Sequence, residues 1–335
     1  MRLFVCEYVT GGGLSGAPLP PGLRREGDMM LGTLVKDLGD VPGVEVVSTR
    51  DARLPVPDCA AAFRPIGAGE DPWPVWRRLA GEVDAVWPVA PETGGALERL
   101  SEMALAAGAR LLGSRPRAVR LAASKRATAA LLTARGVAAA PTWPAARGRD
   151  LSDPTAGWVA KPDDGAGAED THYFRRRDDL VRWLDARPTP DAYVVQPYCP
   201  GTAASLSLLC GDGRAWLLAC NRQDVVVDGG RFRYRGGTVG GLEARRPVFA
   251  PIAAAVAAAI PGLWGHVGID LMDGADGPVV LEVNPRLTTS YVGLRAATGT
   301  NPAALALELI ESPIAEIERP LRITAQAVAV EDEDD

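Results

Sequence analysis

The chain has 335 residues, of which 47% are hydrophobic and 23% charged, and its formal net charge is −6. That length suits two or three domains, and the composition excludes a disordered chain. The acidic balance argues against a nucleic-acid-binding surface and for small-molecule partners.

Residues 2–9 read as a buried strand, followed by the glycine-rich Thr10-Gly11-Gly12-Gly13. Apolar spacing predicts a helix over 24–38, a strand over 44–48, a proline-rich connection over 55–74 and a strand over 84–89. A helix over 92–107 and a short strand over 110–113 follow. Strands alternating with helices argue for a parallel α/β sheet. Two short helices, 115–122 and 124–135, lead into a polar stretch, 141–157. Thereafter strands joined by tight turns dominate: 158–162, 193–196, 205–209, 215–219, 225–227 and 231–234, with one helix around 177–186. A helix at 251–260 precedes a hairpin-like pair, 267–272 and 278–283, and a helix at 302–311 follows. This second part is an α+β module of largely antiparallel strands. The all-acidic ending 331–335 is expected to be a solvated tail.

The N-terminus meets Glu7 before a leader's apolar core could form, and the strongest apolar run, 252–260, is too short to span a bilayer. Five cysteines without a C-x-x-C pair point to reduced thiols in the cytoplasm rather than disulfides or zinc. Only three of the 36 basic residues are lysine (Lys36, Lys125, Lys161), and Asn occurs three times (Asn221, Asn284, Asn301). In a chain so biased toward arginine, these positions are where specific side-chain chemistry is to be sought.

The most informative segment is the hairpin around Asp270 and Glu282-Val283-Asn284-Pro285-Arg286. Glu282 and Asn284 leave the same strand face, and a turn centred near residue 276 sets Asp270 opposite Glu282. Leu271, Leu281 and Val283 would then face a core. Two carboxylates and an amide, without His or Cys, suit Mg²⁺, with Mn²⁺ able to substitute. A solvated polar strand face is the plainer alternative, but the apolar surroundings make uncompensated acids costly there. Lys161 ends a strand and precedes a flexible loop, Asp163-Asp164-Gly165-Ala166-Gly167, which suits phosphate binding although such turns often bind nothing. Lys125 is either a second phosphate contact or an exposed helix lysine. Gln196-Pro197-Tyr198 can offer polar groups to an adenine edge or be an ordinary strand exit.

In this order these segments resemble the ATP-grasp superfamily of carboxylate-amine ligases, an α/β N-terminal domain followed by two α+β subdomains that clamp ATP. The resemblance implies an N-terminal domain over 1–113, a small subdomain over 114–197, a metal-bearing subdomain over 198–320 and a tail over 321–335. It assigns Lys125, Lys161, Gly165 and Gly167 to the phosphates, Gln196 and Tyr198 to adenine, and Asp270, Glu282 and Asn284 to Mg²⁺. Two departures stand out: no acid follows Gly201 to hold the ribose, and Gly268 stands where some members carry an arginine. Arg286 or Arg222 would then join Lys161 at the transferred phosphoryl group.

Glu7 and Gly12 after the first strand, and Glu92 after another, are candidates for the substrate; a tight turn and a helix-terminal acid are the plainer explanations. The strings CEYVTGGGL, APETGG, KPDDGAG, GTAASLSLL and LEVNPRLTTSYVGLR are similar to ligases that join the γ-carboxylate of glutamate to an aromatic amine, tyramine or tyrosine, in methanofuran biosynthesis. A homodimer is compatible with that resemblance. Two other classes remain open: a non-catalytic ATP-binding regulatory subunit, and a dinucleotide oxidoreductase, against which the TGGG stretch lacks the G-x-G-x-x-G spacing. His172 and His266 are expected to be structural or peripheral, with His172 near enough to the glycine loop to touch phosphate.

Overall fold

The computed structural model describes residues 1–165 and 167–330; the acidic stretch 331–335 lies outside them. The N-terminal strands are β1 (Arg2–Glu7), β2 (Glu45–Asp51), β3 (Ala61–Ile66), β4 (Ala85–Val89) and β5 (Arg110–Leu111). They form a parallel sheet in the order β3-β2-β1-β4-β5. Both β1 and β4 are buried almost throughout, as a parallel sheet covered on two faces requires. Leu3 and Val5 of β1 pack against α1 (Pro21–Gly39). The alternate residues Phe4 and Cys6 pack against α2 (Trp73–Ala80) and α3 (Ala96–Ala106).

Two local expectations are corrected here. The first strand ends at Glu7 rather than residue 9, because Val9–Gly13 coils into a single π-helical turn. The stretch 55–74 is no bare connection, since it holds β3 and the start of α2. As an edge strand β3 is half exposed, so it lacks the apolar run that marks β1, and the edge tolerates Pro65.

Helices α4 (Pro116–Ala123) and α5 (Lys125–Ala134) lead to the second module. Its first half contains β6 (Trp143–Pro144), β7 (Trp158–Pro162), β8 (His172–Phe174), α6 (Arg177–Asp185) and β9 (Tyr193–Pro197). These enclose a small core of their own around Trp158, Leu180 and Val195. Its second half contains β10 (Thr202–Gly211), β11 (Arg214–Asp228), β12 (Arg231–Val239), α7 (Arg246–Ala259), β13 (Gly265–Gly274) and β14 (Gly277–Asn284). After these come α8 (Tyr291–Thr298), α9 (Pro302–Glu311), α10 (Ile314–Ile317) and β15 (Gln326–Ala329). The strand order is β14-β13-β10-β11-β12-β8-β7-β9-β6, with β15 on β12. The two halves meet at one pair, Arg231 with His172. Within the expected tail over 321–335, residues 326–329 join the sheet; β15 is mostly exposed and carries no periodic signal.

One hydrophobic cluster runs from α1 through α8 and α9 to Leu209 and Trp216 on β10 and β11. The N-terminal domain and the C-terminal half thus share a core, while the small β6–β9 half keeps a separate one. Space for a ligand opens between these bodies. Among the described residues no helix is long and apolar enough to cross a membrane.

Candidate active site

The β13–β14 hairpin turns at residues 275–276, closed by Gly274 opposite Gly277. Counting outward from that turn would set Asp270 against Leu281. A bulge shifts the register between Asp270 and Leu271, and Asp270 pairs with Glu282 instead. The expected pairing is present, but a bulge produces it. The same extra residue corrects another expectation: Leu271 and Val283 join the core, whereas Leu281 lines the cleft.

Cross-strand pairing then builds a polar row. Glu282, Asp270, Ser205 and Asn221 stand side by side on β14, β13, β10 and β11. The opposite face of the same strands carries Leu206, Ile269 and Leu271 into the core. Asn284 Nδ2 donates to Asp270 Oδ2 at 3.0 Å, and Gln223 Nε2 donates to Asp270 Oδ1 at 2.9 Å. Asn221 donates to the hydroxyls of Ser205 and Ser207, which fixes the neighbouring strand.

Two lysines converge on this row. Lys125 Nζ lies 3.3 Å and Lys161 Nζ 4.0 Å from Glu282 Oε2. Lys125 is the first residue of α5, whose N-terminus is docked on Asp163. Its carboxylate accepts from the Ser124 hydroxyl at 2.7 Å and the Arg126 N–H at 2.9 Å. Lys125 Nζ also donates to the Gly165 carbonyl at 2.5 Å, so the glycine loop and the lysine are tied together. Burial drives Asp270 above the ordinary carboxylate range, and the adjacent Glu282 charge adds to the rise. The same burial opposes ionisation of Glu282, but Lys125 and Lys161 hold it low. Burial also pulls Lys161 down to about 8, outweighing the attraction of Glu282.

The residues present fit a hard divalent cation. Two carboxylates face each other across a strand pair, and the Asn284 amide, rotated by half a turn, presents a third oxygen. Among the described residues no cluster of three His, Cys, Asp or Glu side chains forms a closed cage. An ion held by Asp270, Glu282 and Asn284 would complete its shell with water and phosphate oxygens.

A cleft of about 1290 Å³, part of it open to solvent, is lined by Glu282, Asp270 and Ser205 of this row, by the small half and by Glu26 of α1. Lys125, Lys161, Gly165, Gly167, Gln196 and Tyr198 all border it, as do Asp270, Glu282, Asn284 and Arg286. Gly167 has φ +67°, a conformation that favours glycine, and a Cβ there would point toward Glu26. The Gln196 amide is buried and donates to Thr142 Oγ1 at 2.8 Å, while the Tyr198 N–H bonds the Gly157 carbonyl.

Other expected residues lie elsewhere. Arg222 is exposed and does not border the cleft; alternation along β11 sends Gln223 and Val225 into it and Arg222 away. Glu7 is buried, and its carboxylate accepts from the Val9 N–H, the Thr10 N–H and the Thr10 hydroxyl, so it caps the turn that follows. Gly12 lies inside that turn at φ +107°, where a Cβ would strike Ile66. Glu92 is paired with Arg286, and neither Glu7, Gly12 nor Glu92 borders the cleft. His172 bonds Asp170 and His266 bonds the Pro302 carbonyl, and neither lines the cleft. At position 268, a Cβ would sit 2.7 Å from the Thr288 methyl, so the local packing favours glycine there.

Sequence reasoning missed Glu26, Gln223, Tyr234 and Thr289, which also line the cleft. Gln223 was accessible from the period of β11; Glu26 had no local signal, because α1 is brought to the cleft only by the shared core.

Comparison with known proteins agrees with this architecture. The ATP-grasp domain family model matches residues 122–290, and the pre ATP-grasp 3 domain model matches residues 44–119. Tyramine–L-glutamate ligase of Methanocaldococcus jannaschii is 33% identical over 112 residues, 33% of this chain and 33% of that protein. The aligned stretch thus spans about a third of that relative's length. An ATP-grasp superfamily protein from Archaeoglobus fulgidus has a similar fold: TM-score 0.70, 23% identity, 92% of this chain and 88% of that chain. L-amino acid ligase from Bacillus licheniformis gives a TM-score of 0.66 at 18% identity, over 92% of this chain and 73% of that chain.

Proposed function

The chain belongs to the ATP-grasp family, and we propose that it is an ATP-dependent ligase that joins a carboxylate to an amine. The observation that carries this reading is the convergence of Lys125 and Lys161 on Glu282, itself paired with Asp270, in a single cleft. Two cations beside two hard-oxygen ligands form a receptor for a metal-bound polyphosphate.

In this scheme Lys161 and Lys125 exchange Glu282 for phosphate oxygens, and the glycine loop offers backbone N–H groups to the same chain of phosphates. Gln196 and Tyr198 border the adenine end. Mg²⁺, held by Asp270, Glu282 and Asn284, would supply charge compensation at the phosphates. A carboxylate oxygen of the acid attacks the γ-phosphorus, the bond to the β-bridging oxygen breaks, and ADP leaves. The amine nitrogen then attacks the acyl carbon, the acyl C–O bond breaks, and phosphate departs, taking up the proton that the nitrogen loses. Arg286, which borders the cleft, would join Lys161 at that phosphoryl group; Arg222 does not border it. Positioning and electrostatics carry such chemistry without a histidine base.

The similarity to tyramine–L-glutamate ligase supports glutamate as the acid and an aromatic amine, tyramine or tyrosine, as its acceptor. A cytoplasmic setting is in keeping with five unpaired cysteines. The test is purified protein with MgATP, L-glutamate and a panel of amines. Release of ADP and phosphate only when both acid and amine are present, with an amide of the summed mass, supports the ligase. Nucleotide binding without turnover on any pair would make the chain a regulatory subunit.

A further inference from the structure

We propose that Glu26 holds the ammonium group of the acid substrate, which makes that substrate an amino acid. This deepens the ligase reading and rests on it.

Several acids of the N-terminal domain are already engaged: Asp37 and Asp40 of α1 are paired with Arg295 on α8. Glu7 is saturated by the turn it caps. Glu92 is bound by Arg286, with Nε and Nη2 each 3.0 Å from a carboxylate oxygen. Only Glu26, on α1, borders the cleft. Its Oε2 accepts from the Thr289 hydroxyl at 2.6 Å, and Oε1 points toward the glycine loop, 3.8 Å from where a Cβ on Gly167 would be. One oxygen is thus positioned and the other has acceptor capacity left. Arg286 is the cation that offsets Glu26, and Glu92 already binds it. Burial raises the Glu26 carboxyl above the usual range, against the lowering by the Thr289 hydrogen bond and the Arg286 charge. Glu169 also borders the cleft but is exposed on the glycine loop.

Position decides which ammonium it serves. Glu26, Arg286, Tyr234 and the Asp270–Glu282 pair all line the same cleft, so one ligand can meet the Glu26 pole and the carboxylate pair together. A substrate bridging them needs an ammonium at one end and the reacting carboxylate at the other. The attacking amine cannot be the group held by Glu26, because an ammonium in an ion pair has no lone pair to attack with. The ammonium belongs to the acid.

L-glutamate and glutarate differ by that amino group alone and form the probe. Their affinities are measured by calorimetry with MgADP present, and their KM values by ADP release with amine, for the wild type and Glu26→Gln. The wild type should prefer glutamate by about 10- to 100-fold, the worth of a charged hydrogen bond. Glu26→Gln should lose that preference by weakening glutamate and leaving glutarate unchanged. Unaltered MgADP affinity in the variant shows that it folds. If the variant precipitates, the wild-type ratio still decides. Comparable binding of both acids by the wild type, or equal weakening of both by Glu26→Gln, overturns the inference while acid- and amine-dependent ADP release would leave the ligase reading standing. A Glu26→Gln effect on the KM of the amine instead of the acid also overturns it.

Discussion

Arg286, just past β14, and Glu92, just before α3, are 194 positions apart in the chain, yet Arg286 Nη2 donates to Glu92 Oε2 at 3.0 Å. Arg286 Nε is also 3.0 Å from Glu92 Oε1, an ion pair without hydrogen-bond alignment, since both atoms are buried without a hydrogen-bond partner. Breaking one side of a buried pair strands the other charge. Glu92→Ala should therefore destabilise the protein by about 3 kcal/mol, measured by urea unfolding. The double variant Glu92→Leu with Arg286→Met should recover most of that loss and still fail to turn over, because Arg286 borders the cleft.

Glu282→Gln removes the anion that both lysines face. The fold should persist, with a circular dichroism spectrum like the wild type, while turnover falls by about a thousandfold or more. Nucleotide binding should report the same change. In the wild type ADP affinity should rise with Mg²⁺; in Glu282→Gln the lysines no longer have Glu282 as partner, and binding should become indifferent to EDTA. Calorimetry with and without chelator checks this, and a preserved Mg²⁺ response would contradict the metal assignment.

Lys161→Ala should weaken ADP binding by about 10- to 100-fold. Free-protein stability near neutral pH should hardly fall, because burying the ammonium is itself unfavourable, as its depressed pKa of about 8 reflects. Nucleotide affinity equal to the wild type would remove Lys161 from the phosphate site.

Gly268 and Thr288 compete for one space. A Cβ at 268 would meet Thr288 Cγ2 at 2.7 Å, and the Thr288 hydroxyl is itself 3.0 Å from Ser290 Oγ. Gly268→Ala should cost about 1–3 kcal/mol, and adding Thr288→Ser, which removes the methyl and keeps the hydroxyl, should restore most of it. A double-mutant cycle of thermal unfolding measures the coupling; strictly additive effects would mean that the crowding lies elsewhere.

His266 is buried, bonds the Pro302 carbonyl at 2.9 Å and stacks on Trp87. Burial lowers its pKa from 6.5 to about 4. Between those values the unfolded chain binds the proton and the folded one does not, so stability falls as pH drops through that window. The loss is on the order of 3 kcal/mol by pH 4, and His266→Gln should flatten that part of the curve. Urea midpoints measured from pH 7 to pH 4 for both proteins provide the comparison.

Much of the site was legible because its chemistry is local in sequence. Glu282 and Asn284 share a strand face by the period of a strand alone, and rarity singled out the lysines. Lys125 and Lys161 border the cleft, while Lys36 is exposed. The asparagines all carry specific bonds: Asn221 to Ser205 and Ser207, Asn284 to Asp270, and Asn301 as the cap of α9. Arg222 went astray for the opposite reason: its residue type was right, but one step of strand alternation turned it from the cleft.

The order of buried strands, the spacing of the hairpin and the identity of its oxygen donors were determined by the sequence itself, since apolar period and residue chemistry act over a few positions. Tertiary structure decided the rest. A bulge put Asp270 against Glu282 and turned Leu281 into the cleft; a turn engaged Glu7; the distant Arg286 engaged Glu92. A core shared by α1, α8 and α9 carried Glu26 to a site some 250 residues away in the chain. Contacts of that span follow from how whole surfaces pack, which no local pattern encodes.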